Sequence, residues 1–331
     1  MKRRAAFLGM LSMVLVLGGC GAGGDRAGAP GGAASSAPAS AKESKGAIGL
    51  SVLTLTNPFF KEIADTMTAE AAKHGYDVIV VSGENDVARQ QNQVKDFLVK
   101  KVAAIVLTPC DSRTIGPAIQ EANEAGIPVF TADIACVASG PKVVAHIATD
   151  NYGGGREAAK AIVEAIGGKG KVAVIDYPEV ESVMLRTKGF DDQMAEENKK
   201  PGVQVEIVAR LNGRGSKDQG YKAAQDLLQS HADLAGIFAI NDPSALGAVA
   251  ALEHAGKSGA IKIVGFDGQR EAKRAIKAGK IYADPVQFPD EIGRKTVELI
   301  VKHFQGERVP PEHLIPTRLY RRSDAEADPT L

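Results

Sequence analysis

The sequence predicts an α/β protein built from two doubly wound parallel-sheet domains, joined by a hinge that the chain crosses more than once. Three observations carry that expectation. Short β-branched runs alternate with stretches of helical spacing all along the chain after residue 46, and alternation at that period gives a parallel sheet covered by helices on both faces. About twelve such runs can be counted, twice what one doubly wound sheet usually holds. The body of about 285 residues is too long for one small core and suits two domains.

The chain begins with a processing signal. Lys2, Arg3 and Arg4 precede an apolar run over residues 5–17, which is too short to span a bilayer as a stable helix. It ends in Leu17-Gly18-Gly19-Cys20, which resembles a bacterial lipobox with Cys20 as the lipidated first residue of the mature protein. Gly21 follows in place of the aspartate that retains such lipoproteins in the inner membrane. Residues 21–46 hold Gly, Ala, Ser, Pro and a few charges, with no Leu, Ile, Val or aromatic residue. Such a segment buries too little apolar surface to offset its ordering entropy, so it reads as a flexible tether. The expected arrangement is a soluble extracytoplasmic body held at a membrane surface by a lipid anchor.

The first strand is expected over residues 48–55 and ends at Asn57-Pro58-Phe59-Phe60. Asn57 suits an N-cap and Pro58 an N1 position. Phe60, Ile63, Met67 and Ala71 form a core stripe, and Phe59, one residue off it, is the better placed ring for contacting a ligand. With no Trp, ten Phe and six Tyr in the chain, two adjacent rings at a strand end are conspicuous, because open α/β sheets bind ligands at that edge. Strands follow at residues 78–81, 103–108, 127–132 and 143–149. Cys110 and Cys136 come after the second and third of these, at one sheet edge. In a compartment that permits disulfides, this favours a bridge between them over two unpaired thiols.

The change of domain is placed at Asp150-Asn151. Strands over residues 172–175, 203–208, 237–240 and 261–264 build the second sheet, with Asp242-Pro243 opening one helix and Gly75 and Gly256 closing others. The chain is expected to return near Gln287, because a helix over residues 290–304 and a last strand over 314–320 still need places. The expected division is 47–149 plus 288–316 for the first lobe, 150–287 plus 317–322 for the second, and 323–331 as a tail.

Composition narrows the function. Forty basic residues balance forty acidic ones with no basic block, which argues against nucleic acid. There is no Gly-x-Ser-x-Gly or His-Glu-x-x-His, and the six histidines lack metal-ligand spacing, so neither an enzyme nor a metal or cofactor is expected. Gly256-Lys257-Ser258 has Ala251 where a phosphate loop needs its first Gly. Gly153-Gly154-Gly155 reads as a structural helix start.

Several landmarks converge in order and spacing: Asn57-Pro58-Phe59-Phe60, Thr131-Ala132-Asp133, Ala148-Thr149-Asp150-Asn151, Arg186 before Gly189-Phe190, Asn241-Asp242 before Ala245-Leu246-Gly247, Val264-Gly265-Phe266-Asp267-Gly268, and Gln287 before Pro289-Asp290. Together they resemble the periplasmic sugar-binding proteins of ABC transporters, in the ribose-binding-like branch of the type I periplasmic binding proteins, over residues 46–320. The resemblance implies a monomer that captures a monosaccharide between its lobes and delivers it to an ABC permease. It also implies that Asn57, Phe59, Phe60 and Asp133 face the sugar from the first lobe, Arg186, Asn241 and Asp267 from the second, and Gln287 from a crossing. Sugar hydroxyls each donate and accept, so Asp, Asn, Gln and a forked Arg match them, while the C–H face of the ring needs aromatic walls such as Phe59 and Phe266. Two departures from the family's ribose binders stand out: Ile134 where they carry Arg, and Arg214-Gly215-Ser216 where they carry an aromatic. These point away from plain ribose, with replacement contacts sought at Tyr177, Glu179 or Glu181. A sensor with the same fold is the alternative reading.

Overall fold

The computed structural model describes residues 44–331; the signal segment, Cys20 and nearly all of the tether lie outside the described residues. Two six-stranded sheets dominate. The first contains β1 (Ala47–Val52), β2 (Asp77–Ser82), β3 (Ala104–Leu107), β4 (Val129–Ala132), β5 (His146–Thr149) and β11 (Glu312–Ile315), in the order β11-β5-β4-β3-β1-β2. The second contains β6 (Lys169–Asp176), β7 (Gln204–Asn212), β8 (Leu234–Ala239), β9 (Lys262–Val264), β10 (Ala283–Val286) and β12 (Arg318–Arg321), in the order β12-β10-β9-β8-β6-β7. Both sheets repeat the 2-1-3-4-5 doubly wound order, which places a switch point, and with it a crevice, at the carboxyl ends of the strands. Every strand pair is parallel except β10–β12.

The apolar runs of the strands explain the layering. In β3, Ala104 and Val106 join one core cluster while Ile105 and Leu107 join another on the opposite face. Likewise Val172, Val174 and Phe238 face one way, and Ala173, Ile175, Ile237 and Ala239 the other. Helices α1 (Pro58–Lys73) and α9 (Pro289–Phe304) pack together on the first sheet, with α2 (Val87–Lys100) and α3 (Gly116–Glu124) on its other face. On the second sheet, α4 (Asn151–Ala165) and α5 (Glu181–Glu197) cover one side; α6 (Lys217–Ser230), α7 (Asp242–His254) and α8 (Arg270–Lys277) cover the other. Helices α4 and α5 pack closely through glycines. A Cβ on Gly155 would overlap the carbonyl oxygen of Arg186, and one on Gly189 that of Tyr152. The Gly153–Gly155 run is therefore a packing device that sets where Arg186 stands.

The chain passes between the sheets three times, after β5, after β10 and between β11 and β12. Three details differ from the sequence reading. The first strand stops at Val52, and residues 53–56 turn, with the Thr56 amide donating to Thr54 Oγ1 at 3.2 Å. The single last strand is two strands in different sheets, divided at Pro316, which cannot donate to a ladder. The expected tail instead forms α10 (Arg322–Ala327), which packs against α8. Its Ala325 is fully buried, Tyr320 Oη donates to Asp328 at 3.0 Å, and Arg270 donates to the Thr330 carbonyl at 2.8 Å.

Cys110 and Cys136 are both free thiols. The expected bridge fails because the two side chains belong to opposite faces of the first sheet. Cys110 sits in the cluster beneath α1, with Sγ 3.8 Å from the Leu53 carbonyl, whereas Cys136 packs on the cluster beneath α2 and α3. Among the described residues, no helix is long and apolar enough to cross a membrane.

Candidate functional site

A cleft of about 720 Å³ opens between the carboxyl ends of the two sheets. Of the nine expected ligand residues, Asn57, Phe59, Phe60, Asp133, Arg186, Asn241, Asp267 and Gln287 line it. These eight side chains come from residues spread over 230 positions; seven follow a strand or lie in the first turn of a helix at the same edge, and Arg186 reaches in from the second turn of α5.

Asn57 caps α1, its Oδ1 accepting from the Phe59 amide at 3.0 Å. That cap turns both rings toward the cleft floor, where Phe59 and Phe60 meet edge to face with centroids 5.3 Å apart. Both are nearly buried, so they serve core and wall at once. Asp133 ends β4 with φ +65°, a left-handed conformation that costs a non-glycine residue energy and recurs at functional sites. It is 2% exposed, and its Oδ1 accepts from no protein donor. Burial pushes its carboxyl up to about 7, against the pull of Arg186.

Arg186 is the buried cation of the cleft. Its Nε donates to Asn151 Oδ1 and its Nη1 to the Ile240 carbonyl, both at 2.8 Å, and Nη1 lies 3.4 Å from Asp267 Oδ1. Nη2 has no protein partner among the described residues. Asp267, at φ +107°, also accepts from Gln287 Nε2 at 2.6 Å and Gln269 Nε2 at 3.3 Å. Burial raises its carboxyl, with Arg186 and the two amides working in the opposite direction. Gln287 Oε1, buried, has no donor. Asn241 caps α7, accepting from the Ser244 amide at 3.0 Å and donating to the Gly215 carbonyl at 3.0 Å. It is therefore a structural cap first, with one amide hydrogen left over.

Phe266 corrects the sequence reading. It does not line the cleft: fully buried, it lies beneath Arg186, whose guanidinium stands 4.0 Å over its ring. Residues alternate faces along β9 and its extension, so Phe266 points into the α4 side while Asp267 points out. Phe266 thus supports the cation and is not a sugar wall. Of the three replacement contacts, Tyr177 lines the cleft, Glu179 is drawn off by Asn212 at 2.8 Å, and Glu181 lies outside the lining. Ile134, Arg214, Gly215 and Ser216 do line it.

The sequence reading missed Gln269. Its Nε2 crosses the cleft to Asn57 Oδ1 at 2.8 Å, joining the two lobes. Its only signal was its place two residues after a strand-end Asp. A second bridge joins the loops after β3 and β6: the Ser112 amide donates to the Glu179 carbonyl at 3.1 Å, and the Glu181 amide donates to Ser112 Oγ at 2.8 Å. Both bridges exist only with the lobes together. No three His, Cys, Asp or Glu side chains among the described residues are placed to hold a metal ion.

Chemically, the site offers two buried carboxylates, a partly free guanidinium, an amide oxygen in want of a donor, and aromatic faces. It is suited to a small, neutral, polyhydroxylated ligand. Known proteins agree in kind. Residues 48–308 match the model of the periplasmic binding protein domain. The ribose import binding protein RbsB of Salmonella typhimurium is 35% identical over 276 residues, covering 83% of this chain and 90% of that protein. The D-apiose import binding protein of Paraburkholderia graminis is 34% identical, covering 81% and 85%. An ABC transporter solute-binding protein from Actinobacillus succinogenes, solved with bound D-allose, superposes with a TM-score of 0.78 at 30% identity, covering 86% of this chain and all of that one.

Proposed function

The chain belongs to the periplasmic binding protein family, in its ribose-binding-like branch, and on that footing we propose that it is a lipid-anchored receptor that captures one monosaccharide by closing its lobes and presents it to an ABC permease. Asp133, Arg186, Asp267 and Gln287 bond the hydroxyls, and Phe59 and Phe60 take the C–H face. The observation that carries this reading is the set of unsatisfied acceptors, Asp133 Oδ1 and Gln287 Oε1, buried in one cleft beside a guanidinium. Buried acceptors are costly unless a donor reaches them, and sugar hydroxyls supply donors.

Closure follows from the same contacts. A ligand that touches both lobes bonds fully only when they meet, so its differential affinity draws the population to the closed form. The Gln269–Asn57 and Ser112–Glu179/Glu181 bridges add to that form alone. Cys20, expected as the lipidated residue, tethers the receptor to the membrane. Ile134 and Gly215, lining the cleft in place of a cation and a ring, favour a sugar other than plain ribose.

The test is a thermal-shift screen of the full chain against pentoses, hexoses, deoxy sugars and polyols. A ligand at a thousandfold excess over Kd stabilises by about 4 kcal/mol, so the true one stands clear. One sugar with a large shift supports the proposal and names the substrate. A flat panel on folded, ligand-free protein overturns the sugar reading and turns the search to a sensor with a non-sugar ligand.

A further inference from the structure

Behind the cleft, in the core of the second sheet, lie two carboxyl groups that the ligand site does not use. Asp242 opens α7 and Asp284 lies in β10; both are fully buried. Their carboxyl oxygens converge on one point at Gly265, and each group acts on the other's proton affinity. Asp242 Oδ1 and both oxygens of Asp284 accept from no other group. Gly265 makes room for them: a Cβ there would stand 2.5 Å from Asp284 Oδ1 and 3.3 Å from Asp242 Oδ1. Two unpaired carboxylates in contact inside a core repel each other, so the arrangement holds together with one proton between them. Sharing it gives each group a partner and leaves one negative charge.

The remaining oxygen of Asp242 shows what the pair does. Oδ2 accepts from the backbone amide of Gln269 at 2.5 Å. That bond fixes the turn after β9, where Asp267 and Gly268 both have positive φ. The turn aims Asp267 at Arg186, and Gln269 across the cleft at Asn57. We propose that Asp242 and Asp284 act as a one-proton carboxyl pair that positions this turn, so that loss of the shared proton loosens Asp267 and Gln269.

Every neighbouring charge bears on this. Asp267, after β9, acts on both carboxyls in the direction that retains the proton, while Lys273 on α8 opposes it at Asp284. Arg186 from α5 reaches Asp267 and spends its charge there. On β12, Tyr320 stands opposite Asp284 in the ladder, under the Lys273 ammonium 4.9 Å from its ring. Burial pushes Asp284 up to about 7, and burial together with the Asp284 and Asp267 charges raises Asp242 well above the ordinary carboxylate range. The shared proton is therefore held in acid and lost as pH rises through and above neutrality.

The consequence for capture rests on the cleft being the ligand site, but the pair itself can be read with no sugar present. In the full chain, hydrogen exchange at the Gln269 amide should quicken at least tenfold in D242A and stay within threefold of wild type in D242N, whose Oδ1 still accepts. Infrared spectra at pH 6 on a D133N background should show a protonated carboxylic acid band that D284N removes, because the new amide donates to Asp242 and lets it ionise. D284N is the readout that survives if D242A does not fold. With D-ribose and D-allose as probes, affinity should fall from pH 6 to pH 9, and fall at least threefold less in D284N. Equal exchange in D242A and D242N, or an acid band that persists in D133N/D284N, would overturn the pair. Failure of both sugars to bind at pH 6 would count against the sugar reading and leave exchange and infrared to decide the pair.

Discussion

Replacing Arg186 with alanine removes the one buried cation among the residues that line the cleft, and the structure sets the size of the effect. The guanidinium is 4% exposed and holds three partners, Asn151 Oδ1, the Ile240 carbonyl and Asp267 Oδ1, above the Phe266 ring. Breaking a buried pair by removing one partner costs about 3–5 kcal/mol, because the other charge stays buried. Asp267 can escape by taking up a proton. From an ordinary carboxylate value near 3.9, doing so at pH 7 costs about 4 kcal/mol at 1.36 kcal/mol per unit, so the electrostatic loss is bounded near that figure. At pH 4 the proton is nearly free, and what remains is the orphaned Asn151 and Ile240 acceptors, about 1–3 kcal/mol. At roughly 2–4 °C per kcal/mol, R186A should melt about 8–16 °C below wild type at pH 7, and markedly less below it at pH 4. Calorimetry of the ligand-free full chain at both pH values measures this. A difference under 3 °C at pH 7, or an equal difference at both, would refute the reasoning. R186A should also abolish sugar binding.

Five further outcomes follow from particular residues. Asp133, at about 7 folded against about 3.9 unfolded, keeps its proton in the native state between those values. Ligand-free stability should therefore fall by about 3 kcal/mol as pH rises from 4 to 7 through this group, and denaturant melts of D133N should show that share of the slope gone. F59L keeps most of the buried volume but loses the aromatic face, worth about 0.5–1.5 kcal/mol; titration should find affinity two- to tenfold weaker with Tm within a few degrees. G155A should shift α5 and carry Arg186 out of place, lowering both Tm and affinity, whereas alanine at exposed positions of α4 should do neither. Intact-mass analysis after alkylation under denaturing, non-reducing conditions should label Cys110 and Cys136 as two thiols, while C20S should release the protein from membranes.

Much of the fold was written in local patterns. Continuous apolar runs such as that of β3 can only be strands buried on both faces, and their alternation with helical spacing forces the doubly wound order. Caps and strand-end polar residues were legible for the same reason: Asn57 stands at a helix start that its side chain caps, and Asp133 and Asp267 stand just past strand ends at the edge where such sheets bind ligands. What the sequence alone could not decide was direction and partner. Phe266 and Asp267 are adjacent, yet one lies under the arginine and the other faces the cleft, because the strand pleat and a positive φ divide them. Cys110 and Cys136 follow neighbouring strands but fall on opposite faces, and the last apolar run divides between two sheets at Pro316. Gln269 had only its place after a strand-end Asp to mark it, and nothing marked the Asp242–Asp284 pair, because their roles consist of contacts with residues tens to hundreds of positions away. Periodicity is set by the backbone and can be read along the chain; which groups meet, and whether a proton must sit between them, is set by tertiary packing.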